Sequence, residues 1–163
     1  MRARTLHLLV AVTLSGCATE AQKPKLEAEP LSLYEVRAGN PVCNNTYCSI
    51  TVTVKSGCSI SVTPSTLGID DKVEDAVIHW AISADSVGNA AFTNQGINPK
   101  DTGAWMREFR NGTPVGNPPK EFTWVDKNKV SGPPSQRPYG YNVDVIQNGA
   151  TCPRHDPTII NGY

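Results

Sequence analysis

Apolar residues recur at every second position over much of this chain, and that period constrains the fold more than any other feature. Ile50, Val52 and Val54 alternate with Thr51 and Thr53, and after Lys55-Ser56-Gly57 the pattern resumes at Ile60 and Val62. Successive side chains of a strand point to opposite faces, so such a run buries one face and wets the other, and β-branched residues suit that surface. The two runs therefore read as a hairpin, ended by Pro64. Further strands are expected at 31–37, 76–83, 90–93, 104–110, 121–126, 139–147 and 158–160. Most are separated by turn signals: Ser86-Val87-Gly88-Asn89, Asn98-Pro99, Asn111-Gly112, Gly116-Asn117-Pro118-Pro119 and Gly132-Pro133-Pro134. The one expected helix is a turn or two over 69–75.

Short strands without intervening amphipathic helices argue for an all-β domain, a two-sheet antiparallel β-sandwich over 31–163, with a closed barrel as the other solution. The core face reads as Ile78, Trp80 and Ile82; Trp105 and Phe109; Phe122 and Trp124; Tyr139, Tyr141, Val143 and Val145. A chain of 163 residues can bury one such core and not two. With 15 Lys and Arg against 15 Asp and Glu, the chain has no basic field for nucleic acid. The order Cys58, Trp80, Cys152 is similar to the Cys, Trp, Cys order of immunoglobulin domains and implies an immunoglobulin-like architecture. No Tyr stands two residues before Cys152, so no residue role is carried over.

Arg2 and Arg4 precede an apolar stretch, 6–14, that is too short to span a bilayer and has the layout of an export signal. It runs into Leu14-Ser15-Gly16-Cys17, which resembles the lipobox of bacterial lipoproteins. The resemblance implies a signal peptide at 1–16, removed by cleavage, and Cys17 as the lipid-modified new N-terminus. Three acyl chains there would hold the protein on the membrane permanently, since two already suffice. Ala18 in place of Asp implies sorting to the outer membrane. Residues 17–30 carry Glu20, Lys23, Pro24, Lys25, Glu27, Glu29 and Pro30 without apolar periodicity and read as a flexible tether, about 20 Å in reach.

Assigning Cys17 to lipid leaves Cys43, Cys48, Cys58 and Cys152, an even set that in an exported chain implies two disulfides. No Cys-x-x-Cys pair favours zinc. Three pairings are open. The preferred one joins Cys43 to Cys48 around Asn44-Asn45-Thr46-Tyr47, and Cys58 to Cys152, tying an early strand to the C-terminal segment.

Catalytic patterns are thin. His79 alternates with Ile78 and Trp80 and is expected to face outward. His155 and Asp156 are adjacent, a poor arrangement for one to orient the other, and no Gly-x-Ser-x-Gly elbow exists. The acidic run Asp70, Asp71, Glu74, Asp75 lacks calcium-loop order and reads as a solvated loop or helix start. No metal or cofactor is expected. Aromatic residues at strand spacing pack into cores by default; the alternative is a sugar-stacking platform drawn from Trp105, Phe109, Phe122, Trp124, Tyr139 and Tyr141, and the binding candidates are Trp105, Trp124, Tyr139, Arg107 and Arg137. Charge is unevenly placed: residues 65–98 hold five acids against one base, and 99–138 hold seven bases against four acids. Such polarity steers a charged partner. The expected function is a lipid-anchored, non-catalytic binding or interaction module with a protein partner in the envelope. The other reading is an inhibitor or immunity lipoprotein that plugs an envelope-acting enzyme or toxin with loop 113–120 or 130–138.

Overall fold

A computed structural model describes residues 40–129 and 136–163. Cys17, the signal peptide, the tether, the strand expected at 31–37 and most of loop 130–138 lie outside the described residues. Eleven strands and one helix follow in chain order among the described residues: β1 (Val42–Cys43), β2 (Tyr47–Lys55), β3 (Ser59–Thr63), β4 (Thr66–Ile69), β5 (Ala76–Ile82), β6 (Ala91–Pro99), α1 (Thr102–Glu108), β7 (Phe109–Gly116), β8 (Pro119–Asp126), β9 (Arg137–Gln147), β10 (Ala150–Thr151) and β11 (Thr158–Asn161).

The strands form two sheets. One has the order β3-β2-β5-β8-β7; the other runs β1-β4-β11-β9-β10, with β6 also paired to β9. The sequence rule is visible along β2, where Cys48, Ile50, Val52 and Val54 are buried and Tyr47, Ser49, Thr51 and Lys55 are exposed. The inner faces meet in one core. Trp80 of β5 sits edge-on to Tyr141 of β9 with centroids 5.5 Å apart, and its Nε1 donates to the Tyr141 hydroxyl at 3.0 Å. Phe92 of β6 meets Phe122 of β8 in the same edge-to-face manner at 6.2 Å. The fold is an all-β sandwich, not a barrel.

Its sheets are mixed, which corrects the expectation of purely antiparallel pairing. β2 pairs with β5 in parallel, as β4 does with both β1 and β11. A parallel pair needs a crossover of a dozen or more residues, and the path from Lys55 to Ala76 supplies it through β3 and β4. Alternation marks faces and is blind to strand direction. The immunoglobulin-like architecture is met only at the level of a two-sheet sandwich.

The helix is also misplaced by sequence. Ile69 ends β4 and residues 70–75 form a turn and loop, in which Val73 N donates to Asp70 O and Lys72 N to the Asp70 carboxylate. The helix is α1, where a strand was expected over 104–110. Asp101 caps it by accepting from Ala104 N at 2.9 Å. Trp105 and Phe109 are four apart, a spacing that puts two side chains on one face of a strand or of a helix alike.

Asn98-Pro99 and Asn111-Gly112, read as turns, lie inside β6 and β7. Between Arg110 and Thr113 the register against β8 shifts, so Asn111, at φ +59°, and Gly112 form a bulge. Gly112 lets the Trp124 indole lie on the backbone: a Cβ there would stand 2.3 Å from Trp124 Cε2. Gly112→Ala is therefore expected to destabilise by about 1–3 kcal/mol through overpacking, read by denaturant unfolding. An unchanged midpoint would show that the indole has room to move away.

Both disulfides take the preferred pairing. Cys43 and Cys48 close the turn into β2 with Cα atoms 5.7 Å apart. Cys58, in the 3-10 turn between β2 and β3, joins Cys152, just past β10, at a Cα separation of 5.0 Å, so this bridge ties one sheet to the other.

Candidate functional site

Three of the five side chains singled out for binding converge on one cleft. α1 presents Ala104, Arg107 and Glu108; the start of β9 presents Arg137, Pro138 and Tyr139; together they line a space of about 320 Å³. Tyr139 is its aromatic wall, and further rings pack behind it. Trp105 stacks on Phe109 with centroids 3.9 Å apart, and Phe109 meets the Tyr139 ring edge-on at 5.1 Å. Trp105 itself is 1% exposed and belongs to the core under the cleft. Trp124 is half-buried behind it, edge-on at 5.6 Å, so Tyr139 is the member of the expected stacking set that lines the cleft.

The last turn of α1 is fastened to the residues after β8. Lys127 N donates to Glu108 O at 2.9 Å, Lys127 Nζ to Arg107 O at 2.7 Å, and Lys129 N to Glu108 Oε1 at 2.5 Å. This fixes where Arg107 leaves the helix. Burial raises the Tyr139 phenol above its ordinary value, and Glu108 adds to the effect while Arg137 and Arg107 oppose it. The phenol therefore stays protonated at neutral pH and can donate a hydrogen bond. Two guanidinium groups beside a flat ring suit an anionic group attached to an apolar or planar body.

Beneath the cleft lies a buried polar node that sequence reading missed: alternation puts Asp126 on the face of Phe122 and Trp124, but a carboxylate at a strand end is taken as solvated unless a partner is known to cover it. Asp126, Asn128 and Asn161 are all buried. Asp126 Oδ1 accepts from Asn128 N and from Asn161 Nδ2, each at 2.9 Å. Asn128 Nδ2 donates to Asp70 O and Val73 O, and Gly162 N donates to Asn128 Oδ1 at 3.2 Å. Burial pushes the Asp126 carboxyl up to about 7; the bonds from Asn128 and Asn161 counter this in part, and the Glu108 charge adds to it.

The remaining polar candidates are engaged elsewhere. His79 lies on the outer face, as alternation implied, with Nε2 3.0 Å from Glu121 Oε2. Asp156 pairs with Lys100 at 3.2 Å rather than with His155, whose backbone bridges to Val143. Asp75, from the acidic segment, pairs with Arg110, from the basic one, at 2.9 Å, so part of the charge polarity is neutralised by folding. A second, more open depression of about 500 Å³ is lined by Thr93, Asn94, Gln95, Asp144, Thr151 and Arg154, but there Arg154 Nε donates to Asp144 at 2.8 Å and the charges satisfy each other. No family model matches the chain, and no curated protein matches it.

Proposed function

We propose that the chain is a bacterial lipoprotein, held in the outer membrane through lipid on Cys17 and facing the periplasm or cell surface. Its β-sandwich acts as a non-catalytic module that binds a protein partner of the envelope at the α1–β9 cleft. The observation that carries this reading is the closure of Cys43–Cys48 and Cys58–Cys152. Such bridges persist in oxidising compartments, which is where the charged start and apolar stretch at 1–16 would deliver the chain. They also account for four of the five cysteines, and the fifth, Cys17, is the one that the lipobox resemblance assigns to lipid. The inhibitor or immunity reading draws on the β7–β8 hairpin, whose tip follows the exposed Val115.

Palmitate labelling and membrane fractionation test the anchor, and cross-linking in intact envelopes tests the surface. Wild-type protein should carry label and sediment with outer membrane, whereas Cys17→Ser should be unlabelled and larger by the retained signal. Arg107→Glu combined with Tyr139→Ala should lose partner cross-links while the fold persists. Wild-type protein in the soluble cytoplasm, or unchanged mobility of Cys17→Ser, rules out the anchor. Cross-links lost only on altering the hairpin tip favour the inhibitor reading over the cleft.

A further inference from the structure

The node under the cleft is one hydrogen short. Asp126 Oδ2 and Asn161 Oδ1 are buried and have no hydrogen-bond partner among the described residues, although the two side chains already touch through Asn161 Nδ2 and Asp126 Oδ1. Both orphans are acceptors when the acid is ionised, and a buried acceptor without a donor bears its full desolvation cost. Turning the Asn161 amide over does not help, because its oxygen would then face Asp126 Oδ1, another acceptor. A hydrogen on Asp126 Oδ2, donated to Asn161 Oδ1 beside the bond the two side chains already share, would satisfy both orphans at once and make a two-point acid–amide contact.

We propose that Asp126 is a proton-binding site that locks the C-terminal strand: its Oδ2 carries a hydrogen donated to Asn161 Oδ1, and release of that proton to solvent loosens β11. The position of Asn161 gives the contact its reach. It is the last residue of β11, which is inserted between β4 and β9, and the residues after it are held by Gly162 N on Asn128 Oδ1 and by Tyr163 N on Ile69 O. Of the charges around the node, Glu108 favours the neutral acid, and Arg137 is the basic residue opposite Asn161 on β9. Asp126 lies opposite Ala76 of β5 and Phe109 of β7 and receives no cation in direct contact among the described residues. Glu108 at the end of α1 repels its ionised form, and Tyr139 on β9 is an uncharged neighbour. Arg110 is engaged by Asp75, and Lys127 Nζ by Arg107 O. Asp70, on the far side of Asn128, offers its carbonyl and not its charge.

The direction of the pH effect follows. An acid whose folded pKa lies above its unfolded value holds its proton longer when folded, so its contribution to stability is present at low pH and is lost as pH rises through the folded value, here about 7. For the full-length oxidised chain the melting midpoint should fall by on the order of ten degrees between pH 5 and pH 8.5. Asp126→Asn supplies a permanent amide donor to Asn161 Oδ1, so it should melt close to the wild-type pH 5 value and show little of that fall. A fall in Asp126→Asn equal to that of wild type, or a wild-type midpoint that is flat or rises over this range, overturns the proposal. The side-chain carboxyl carbon-13 resonance of Asp126 in the unaltered protein is a second readout that needs no variant. It should report a protonated acid at pH 5 that titrates near neutrality, and a carboxylate resonance at pH 5 overturns the lock.

Discussion

Replacing both Cys58 and Cys152 with alanine is expected to destabilise the sandwich by about 4–5 kcal/mol, roughly twice the cost of the same change at Cys43 and Cys48. The estimate follows from the chain segments that each bridge closes in the unfolded state. The first spans a sequence separation of 94 residues and the second a separation of 5, and the entropy withheld from the unfolded chain grows with the logarithm of that length, to about 4.7 kcal/mol for a loop of 100 residues and about 2 for the short one. The native state adds to the difference. Cys58–Cys152 fastens the β2–β3 turn to the strand that follows β9, and Cys152 is itself buried. Gln147 reinforces the same junction by accepting from Cys58 N and donating to Lys55 O and Val87 O, so loss of the bridge loosens a corner that carries hydrogen bonds between the sheets. Cys43–Cys48 closes a turn already shaped by Asn45, whose side chain accepts from Tyr47 N at 2.8 Å. Denaturant unfolding of the two double variants gives the comparison directly. Equal costs, or a larger cost at Cys43 and Cys48, would mean that local geometry outweighs chain entropy here.

What the sequence discloses and withholds follows from what a period of two can encode. It reports which face of β2, β5 and β9 is apolar, and the buried Ile50, Val52, Val54, Ile78, Trp80, Tyr141, Val143 and Val145 were all legible on that basis. It is silent on strand direction, and the parallel pairing of β2 with β5 was not foreseen. It is ambiguous where apolar residues lie four apart, as at Trp105 and Phe109, and there the decision fell to the Asp101 cap and to the helix-forming run from Ala104 to Glu108. It places Asp126 on the inner face with Phe122 and Trp124 but does not supply the partner that lets a carboxylate stay there. Asp126 reads as a boundary residue, yet Asn161, 35 positions further on, closes over it. The cleft was half legible. The pairing of basic residues with aromatics picked out Arg107, Arg137 and Tyr139, but only the packing of α1 against β9 separates Tyr139, which lines the opening, from Trp105, which lies beneath it.

That separation gives the second large effect. Trp105→Ala is expected to cost about 3–5 kcal/mol, the range for truncating a large buried aromatic, while Tyr139→Ala, at a half-buried site, should cost clearly less. Trp105 is the side chain through which α1 enters the core: it stacks on Phe109 of β7, meets Trp124 of β8 edge-on and lies 5.9 Å from Tyr141 of β9. An alanine would leave a cavity bounded by three strands and would release the helix that positions Arg107. The indole also carries a liability, since its buried Nε1 has no acceptor among the described residues. Trp105→Phe keeps much of the ring contact and deletes that unpaired donor, so it should fall well short of the alanine cost and lie near neutral. The order of stability is therefore wild type close to Trp105→Phe, then Tyr139→Ala, then Trp105→Ala, measured by denaturant unfolding with both disulfides closed. If Trp105→Ala unfolds within about 1 kcal/mol of wild type, the indole is not what joins α1 to the sandwich, and the cleft must be held by the Lys127 and Lys129 contacts alone.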